Sequence, residues 1–507
     1  MKVGFFCSFW LACALFFSSF FLHAADNKTW FSGGMNEAFL KSKKEQKPIF
    51  LYWGAKWCPP CNELKSEIFS KDSFKTIIKP FIPVYLDGDS ENAQIWGEKL
   101  GVRGYPTMLV LNPKGAEVMR IDTQLTFLEF EKALFWSLQK SMPLKEMLLR
   151  AKDGKLSDDL WQALSFISFS SIKDPSMTDV EKALLLKDLV VKIPKRLDLA
   201  KVRLTAKYLS ALFSLEESQR KSYVEKAAIL KGLSYLFENE KRILMARSFL
   251  IGNSWRALDY LSQEEKSVWK KKLIHASSIL AKDKSLSVET RLWASAIEWQ
   301  IERRGNKNTP LNKPAKERLL AAILKADKEA KTAYERQSVI SGAAYLLRKI
   351  GYVDKAAKML KKEAKVSASP WYYYSSLSRL FKDENRLEDA KRYMALARKS
   401  VKGRATRLQW MASELSFNGQ KEEPQPVLSS EELKAFKDFY GLALSLEDGF
   451  VGRNARSAAR VQKALRPFVR QPEVRRVFLA FGEKCEKTKN LNALKCREHF
   501  KALLDKG

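Results

Sequence analysis

The sequence predicts an α/β domain at residues 26–143 and a longer all-α region at residues 144–507. Up to Gln139, short apolar runs alternate with amphipathic segments in the order α-β-α-β-α-β-β-α. From Lys145 onwards no strand-like run persists, Gly and Pro are sparse, and apolar residues recur at spacings of three and four. The chain is therefore predicted to contain two parts of different architecture.

Each element of the α/β domain follows from the length of its apolar run and from the residues that bound it. Residues 48–53 are continuously apolar after Pro48, which is typical of a buried central strand. Residues 30–47 have amphipathic spacing and are predicted to be helical. The other predicted elements are a helix after Cys61, strands at residues 81–86, 107–111 and 117–121, and helices at residues 92–100 and 126–139.

Two cysteines, Cys58 and Cys61, lie where the predicted central strand ends and the next helix begins. In a Cys-x-x-Cys pair, one thiolate can attack a disulfide while the second resolves the mixed disulfide that forms. The start of a helix has unpaired backbone N–H groups and the positive end of the helix dipole, so we expect the pKa of Cys58 to be lowered. Pro59 and Pro60 are compatible with a first helical turn. The motif predicts dithiol–disulfide exchange.

The segments Trp57-Cys58-Pro59-Pro60-Cys61 and Gly101-Val102-Arg103-Gly104-Tyr105-Pro106-Thr107 stand in the order of a redox motif and a cis-proline loop. With them, residues 26–143 resemble a thioredoxin-fold domain and are similar to exported thioredoxin-like proteins. The resemblance implies a thiol–disulfide oxidoreductase with Cys58 as the nucleophile and Cys61 as the resolving thiol, the two forming the redox disulfide. It further implies that Trp57, Tyr105 and a cis Pro106 bind substrate.

One position departs from the family pattern. Thioredoxins usually carry a buried acid six residues before the first cysteine, where it accepts the proton of the second cysteine, and this sequence has Tyr52 there. Fast reductase turnover is therefore not implied by the resemblance. Lys56, Glu63 and Lys65 are close enough in sequence to tune the thiols, although ordinary surface charge is the simpler interpretation.

The second pair of cysteines, Cys485 and Cys496, is predicted to form a structural disulfide near the C-terminus. Transfer of electrons to or from the first pair is the alternative. The spacing of the four cysteines does not fit a zinc site. Only His275 and His499 remain after the segment 1–25, so we predict no metal site and no cofactor, and we interpret both as surface or packed histidines.

The segment at positions 1–25 predicts the compartment. Lys2 precedes an apolar run at residues 3–22, which is followed by His23-Ala24-Ala25. This pattern is typical of a secretory signal peptide, and the run is also long enough to remain as an uncleaved membrane anchor. Either interpretation places the rest of the chain in the periplasm or another extracytoplasmic compartment, where disulfides persist.

The all-α region contains a repeat that is clearest at residues 338–415. In two successive copies, Ile340, Ala344, Gly351, Ala356 and Leu360 are matched by Tyr374, Ser378, Asn385, Ala390 and Met394. The matched residues are 34 positions apart, and a period of 34 residues resembles the tetratricopeptide repeat. A third copy fades because Pro424 interrupts its second helix. We therefore expect a helical-hairpin solenoid that presents a protein-binding surface. The aromatic residues 371–374 either line that surface or pack between helices.

The positive net charge of the chain is compatible with several classes of partner. Residues 26–145 carry 17 basic and 14 acidic side chains, so about +28 of the formal net charge of +32 lies beyond them. A solvated basic surface is the simplest interpretation, and no basic tail suggests nucleic acid. The predicted partners are protein disulfides or dithiols and a redox partner protein. The rival hypothesis is a non-catalytic binding or scaffold protein whose thioredoxin-fold domain is inert.

Overall fold

The structure, a computed structural model, describes residues 29–90, 93–102, 104–139, 142–172, 177–305, 312–418, 427–486 and 491–505. The predicted signal segment at residues 1–25 and the predicted break at Pro424 lie outside these residues. Among the helices of these ranges, none has the length and apolar character needed to cross a bilayer.

The N-terminal domain is built on a four-stranded mixed sheet with the strand order β2-β1-β3-β4. β1 is parallel to β2 and antiparallel to β3, and β3 is antiparallel to β4. Its elements are α1 (Met35–Glu45), β1 (Ile49–Gly54), α2 (Pro59–Leu64), a π-helical turn (Lys65–Phe69), α3 (Asp72–Ile77), β2 (Ile82–Asp87), α4 (Ala93–Lys99), β3 (Thr107–Leu111), β4 (Glu117–Ile121) and α5 (Phe127–Gln139).

The predicted α/β fold class is confirmed, and the bounds of β3 and β4 agree with the prediction. The first helix is shorter than predicted. It begins at Met35 after an extended Gly34 and ends at Glu45, since Gln46 adopts the left-handed conformation with φ 52°. α3 was not predicted, because its single turn and a half is too short to show a helical period.

β1 is buried on both faces, which explains its unbroken apolar run. Phe50 and Tyr52 face one hydrophobic core, and Leu51 and Trp53 face a second core on the other side of the sheet. The strand therefore runs through the middle of the domain and delivers Cys58 at its carboxyl end.

Beyond residue 143 the described chain is a multi-helix all-α region. Its helices are α6 (Leu144–Lys152), α7 (Asp158–Ser165), α8 (Asp179–Lys192), α9 (Asp198–Ser214), α10 (Glu217–Lys221), α11 (Lys226–Leu236), α12 (Glu240–Met245), α13 (Arg247–Gly252), α14 (Ser254–Ala257), α15 (Gln263–Lys282), α16 (Val288–Ser295), α17 (Ile297–Gly305), α18 (Lys313–Glu329), α19 (Ala333–Lys349), α20 (Val353–Val366), α21 (Pro370–Asp383), α22 (Leu387–Ser400), α23 (Arg404–Asn418), α24 (Ser430–Leu444), α25 (Gly452–Leu465), α26 (Pro472–Glu486) and α27 (Leu491–Asp505).

The first helices of this region pack directly on the N-terminal domain. The backbone N–H of Ser168 donates to the Arg120 carbonyl at 2.8 Å, and that of Asp122 donates to the Phe166 carbonyl at 3.0 Å. One continuous hydrophobic core then runs from Phe50 to Ile301. The helices up to α17 therefore share a hydrophobic core with the sheet and do not form a separate domain.

The segment with the predicted repeat forms consecutive helical hairpins, α19 with α20 and α21 with α22. Gly351 and Asn385, which the repeat aligns with each other, both have positive φ at the turn between paired helices. The aligned small residues Ala356 and Ala390 are fully buried. Capping boxes begin α8, α15, α19 and α24.

The last two helices are linked by a disulfide between Cys485 and Cys496. Next to it the imidazole of His499 is half-buried among aromatic rings and lies 3.0 Å from the hydroxyl of Tyr440. Burial lowers the pKa of His499 from its ordinary 6.5 to about 4. His275 is exposed on α15.

Candidate redox site

Cys58 and Cys61 occupy the first turn of α2, with Cys58 as the residue that precedes the helix. Both are free thiols and buried, with 4% and 0% of their surface exposed. The side-chain amide of Asn62 donates to the backbone carbonyls of Cys58 at 2.8 Å and Lys56 at 2.9 Å, which fixes the turn that carries the cysteines. The two sulfurs are not bonded to each other in this structure, and the dithiol is one of the two states between which a redox-active pair alternates.

The expected lowering of the Cys58 pKa is wrong for this conformation. Cys58 does stand at the start of a helix, but burial raises the pKa of its thiol well above the ordinary value, and the neighbouring Cys61 and Glu289 raise it further. The cost of placing a thiolate in a buried site exceeds the benefit of the helix terminus. Cys58 is therefore held as a neutral thiol.

Tyr52 fills the space beneath Cys61 where the family usually has an acid. Its ring lies 5.2 Å from that of Tyr85 in a stacked arrangement, and its hydroxyl donates to the Cys61 carbonyl at 3.4 Å. Burial raises the pKa of Tyr52 well above the ordinary value, so the phenol is neutral at physiological pH. This side chain contributes packing and a hydrogen bond but no carboxylate.

The three residues expected to bind substrate lie on one edge of the N-terminal domain. The Tyr105–Pro106 peptide bond is cis, as the resemblance implied. The Trp57 indole donates to a carboxylate oxygen of Asp89 at 2.6 Å and contacts the edge of the Tyr105 ring at a centroid distance of 6.1 Å. Gln94 donates to the Tyr105 hydroxyl at 3.2 Å. Trp57 and Tyr105 thus form one aromatic surface beside Cys58.

Helices of the all-α region lie on this aromatic surface. Tyr372 stacks on Trp57 with ring centroids 5.8 Å apart, and Trp410 meets the same indole edge-on at 6.4 Å. The side chain of Gln337 donates to the Trp57 carbonyl at 2.8 Å. We refer to Gln337, Tyr372 and Trp410 as the cover. The cover occupies the face that the sequence assigned to substrate.

A second set of contacts holds the all-α region against the other side of the site. Arg453, at the start of α25, forms an ion pair with Asp89, and its guanidinium lies 5.3 Å from the centre of the Tyr105 ring. Its backbone N–H donates to Gln94 at 2.9 Å. Gly452 has φ 56°, and a Cβ there would lie 2.9 Å from the Gln94 amide oxygen, so the close approach of α25 requires glycine.

A pair of carboxyl groups spans the two parts of the chain near Cys58. Glu63 on α2 accepts hydrogen bonds from Ser287, at the start of α16, and from Thr290 at 3.1 Å. Glu289 contributes the second carboxyl group, whose Oε2 atom is buried without a hydrogen-bond partner. Burial raises the pKa of Glu289 well above 4.5, and the charge of Glu63 raises it further. Burial also raises the pKa of Glu63, against the hydrogen bonds that lower it.

Both carboxyl groups therefore hold a proton up to a higher pH than an exposed carboxyl group does. We refer to Glu63 and Glu289 as the carboxyl pair. The sequence allowed Glu63 to tune the thiols but favoured ordinary surface charge, and it did not indicate Glu289, which lies far along the chain on α16. Lys56 is exposed, and the ammonium of Lys65 lies 5.5 Å from the centre of the Tyr85 ring.

The comparison with protein families agrees with this geometry. Residues 35–135 match the thioredoxin-like domain family, a stretch that includes β1 to β4, both cysteines and the cis peptide bond. No curated protein matches the chain. The N-terminal domain is therefore thioredoxin-like, and such a domain is compatible with thiol–disulfide exchange.

The described residues contain no cluster of three or more His, Cys, Asp or Glu side chains able to hold a metal ion. The groups assembled at the site are two thiols, neutral phenols, aromatic rings and the carboxyl pair. This set can perform nucleophilic attack by sulfur coupled to proton transfer.

Proposed function

We propose that this protein is an extracytoplasmic thiol–disulfide oxidoreductase that exchanges disulfides with protein substrates. The observation that carries the proposal is the pair of free thiols, Cys58 and Cys61, at the junction of the central strand and α2. The thioredoxin-like character of residues 35–135 supports it.

The exchange would proceed in two balanced steps. The Cys58 thiol loses its proton, attacks one sulfur of a substrate disulfide and releases the other substrate sulfur as a thiolate. The Cys61 thiol then loses its proton, attacks the Cys58 sulfur and releases the second substrate thiolate, and the two substrate thiolates take up from solvent the two protons that the cysteines lost. Two electrons pass to the substrate, which becomes a dithiol, and Cys58 and Cys61 become a disulfide. A second dithiol protein restores the reduced pair, and in the reverse direction the disulfide oxidises a substrate dithiol.

The cover assigns a role to the all-α region in this reaction. A protein disulfide must approach the sulfur of Cys58, which is 4% exposed beneath Trp57 and its contacts. Exchange with a protein therefore requires the cover to separate from Trp57. We propose that the helical hairpins, with their tetratricopeptide-like period, bind the client whose arrival opens the site.

Export is part of the same proposal. The sequence pattern at residues 1–25 supports secretion, with or without cleavage, and the disulfide between Cys485 and Cys496 is of the kind that persists outside the cytoplasm. Fractionation of cells that produce the full chain, with protease added to intact and opened cells, tests the compartment. Protection of the chain in a cytoplasmic fraction would contradict it.

The activity is tested by insulin reduction with dithiothreitol as the electron source. We expect Cys58→Ser to abolish activity above background, because the nucleophile is removed, and the Cys485→Ala/Cys496→Ala double variant to retain it. Cys61→Ala should accumulate mixed disulfides with substrate in intact cells, because the resolving thiol is missing. Equal activity in Cys58→Ser and the unaltered protein would reject the proposal.

The buried position of Cys58 favours one rival, a binding protein with an inert dithiol. The two hypotheses differ in the Cys61→Ala experiment. An inert dithiol predicts that no client is trapped through Cys58, whereas clients held by the helical surface would be recovered equally from Cys58→Ser and unaltered protein.

A further inference from the structure

A cleft of about 490 Å³ lies between the N-terminal domain and the first helices of the all-α region. Its walls come from the end of β4 and the start of α5 on one side and from α7, α8, α9 and α13 on the other. A volume of this size is in the range of sites that bind small organic molecules. The cleft does not include either cysteine of the redox site.

Arg203, on α9, is the distinctive residue of this cleft. Its side chain is buried, with 8% of the residue exposed, and its guanidinium lies 4.1 Å from the centre of the Phe166 ring. The Nε atom is buried without a hydrogen-bond partner, and no ion pair joins the guanidinium to a carboxylate within the described ranges of the chain. Burial lowers the pKa of Arg203 to about 10, so the side chain remains charged at neutral pH.

The other cations of the cleft are already neutralised. Lys207 is paired with Asp122, Arg247 with Glu129, and Lys182 with Asp179 at 3.1 Å. Each of these pairs lines the cleft, and together with Arg203 they leave a net positive charge; Glu129 and Asp122 are near enough to raise the pKa of Arg203 but form their ion pairs with Arg247 and Lys207. A buried charge without a partner is costly, and a guanidinium is satisfied best by two oxygens of one carboxylate or phosphate group.

The rest of the lining suits the polar body of a small molecule. Hydroxyl groups from several helices and loops face the cleft, together with a few apolar side chains: Ser165, Ser168, Ser170, Ser210, Ser214, Ser248, Leu186, Leu215 and Met245. Hydroxyl groups can donate to and accept from an uncharged polar group. The lining therefore favours a ligand with a single oxyanion attached to a hydrogen-bonding body over a bare polyanion.

We propose that this cleft binds a small organic monoanion whose carboxylate or phosphate group pairs with Arg203. The ligand would join the N-terminal domain to α8, α9 and α13, since both parts of the chain contribute to the walls. This site is independent of the redox chemistry, and its occupancy does not require Cys58 or Cys61.

The test compares the full chain with Arg203→Met, which keeps the packing volume but removes the charge. Ligand-free melting temperatures are measured first, in a buffer without phosphate or carboxylates. Binding of two probes, glycerate, which is a hydroxylated monocarboxylate, and inorganic phosphate, is then measured by equilibrium dialysis and by the shift of the melting temperature. Arg196→Met, which removes an exposed guanidinium outside the cleft lining, is the matched control.

We expect at least one probe to bind the unaltered chain and Arg196→Met equally, with about tenfold or greater loss of affinity in Arg203→Met. Arg203→Met should be at least as stable as the unaltered chain without ligand, because it removes an unpaired buried charge. Arg203→Lys, which keeps the charge but not the two-pronged geometry, should bind with intermediate affinity. Absence of binding by both probes, or equal binding by Arg203→Met, would overturn the proposal. A lower ligand-free melting temperature of Arg203→Met would identify a structural role for the side chain and also count against it.

Discussion

Removal of Tyr372 should open the redox site. Its ring stacks on Trp57 at 5.8 Å, and such an aromatic pair contributes about 1 kcal/mol beyond area burial. Loss of the associated apolar contact adds about 1 kcal/mol. Tyr372→Ala should therefore weaken closure of the cover by about 2 kcal/mol, which raises the population of the open state about 30-fold.

The alkylation rate of Cys58 measures that population. The experiment uses the Cys61→Ala background, in which Cys58 is the one free thiol beyond the predicted signal segment, with Cys485 and Cys496 kept as a disulfide. Because Cys58 is 4% exposed, iodoacetamide reaches it after opening, and the rate is proportional to the open population when closure is fast. We expect Tyr372→Ala to react about 30 times faster than its parent.

Tyr352→Ala provides the matched control. Tyr352 is also half-buried in the all-α region, but its ring contacts Lys316 and Lys355 and not Trp57. The control should react at the parental rate, while circular dichroism verifies that both variants are folded. Equal rates for Tyr372→Ala and its parent would refute the reasoning that the cover controls access. Equal acceleration by both variants would refute it as well, because loosening would then be general.

Three further predictions concern titration and the disulfide. Burial raises the pKa of Glu289, so the contribution of its protonated form to folding stability is present below about pH 4.5 and declines as the pH rises. Glu289→Gln should therefore raise the melting temperature at pH 8 and not at pH 4.5, and an unchanged pH profile would contradict this. The folded-state pKa of His499 is lowered to about 4, so its contribution to stability is complete above pH 6.5 and falls as the pH drops below that value. Between pH 7.5 and pH 5 the free energy of unfolding in urea should therefore fall by about 2 kcal/mol more in the unaltered chain than in His499→Gln. His275→Gln, at an exposed histidine, is the control and should behave like the unaltered chain. Loss of the disulfide in Cys485→Ala/Cys496→Ala should cost about 3 kcal/mol, and dithiothreitol should lower the melting temperature of the unaltered chain but not of this variant.

The local part of the site could be predicted from the sequence because its signals are short-range. Cys58 and Cys61 belong to one Cys-x-x-Cys motif, and the strand before them is a continuous apolar run. Turn residues and apolar periods of this kind report on the nearest few residues. They therefore placed the dithiol at the correct junction and the strands β3 and β4 at their observed bounds.

The cover and the carboxyl pair could not be predicted in the same way. Gln337 is hydrogen-bonded to Trp57 although 280 positions of the chain separate them, and Arg453 is hydrogen-bonded to Asp89 at a separation of 364 positions. Contacts at such separations leave no local period, so no pattern in the sequence indicated that the substrate face would be occupied. Arg203 gives a weak signal in the sequence, because it is the one charged residue between Val202 and Ala206 on the buried part of α9, but this signal becomes informative only when the opposite wall of the cleft is known.

Under the proposed function, the contacts of the cover would control both the access to Cys58 and its reactivity. In the closed conformation burial keeps Cys58 a neutral thiol. Separation of the cover returns the start of α2 to solvent, where the helix terminus favours the thiolate. Under the proposed function, a client that displaces Tyr372 and Trp410 from Trp57 therefore gains access to the sulfur and activates it in one event. Reactive thiolate would then be confined to complexes with a client, which protects the resting protein from adventitious oxidation.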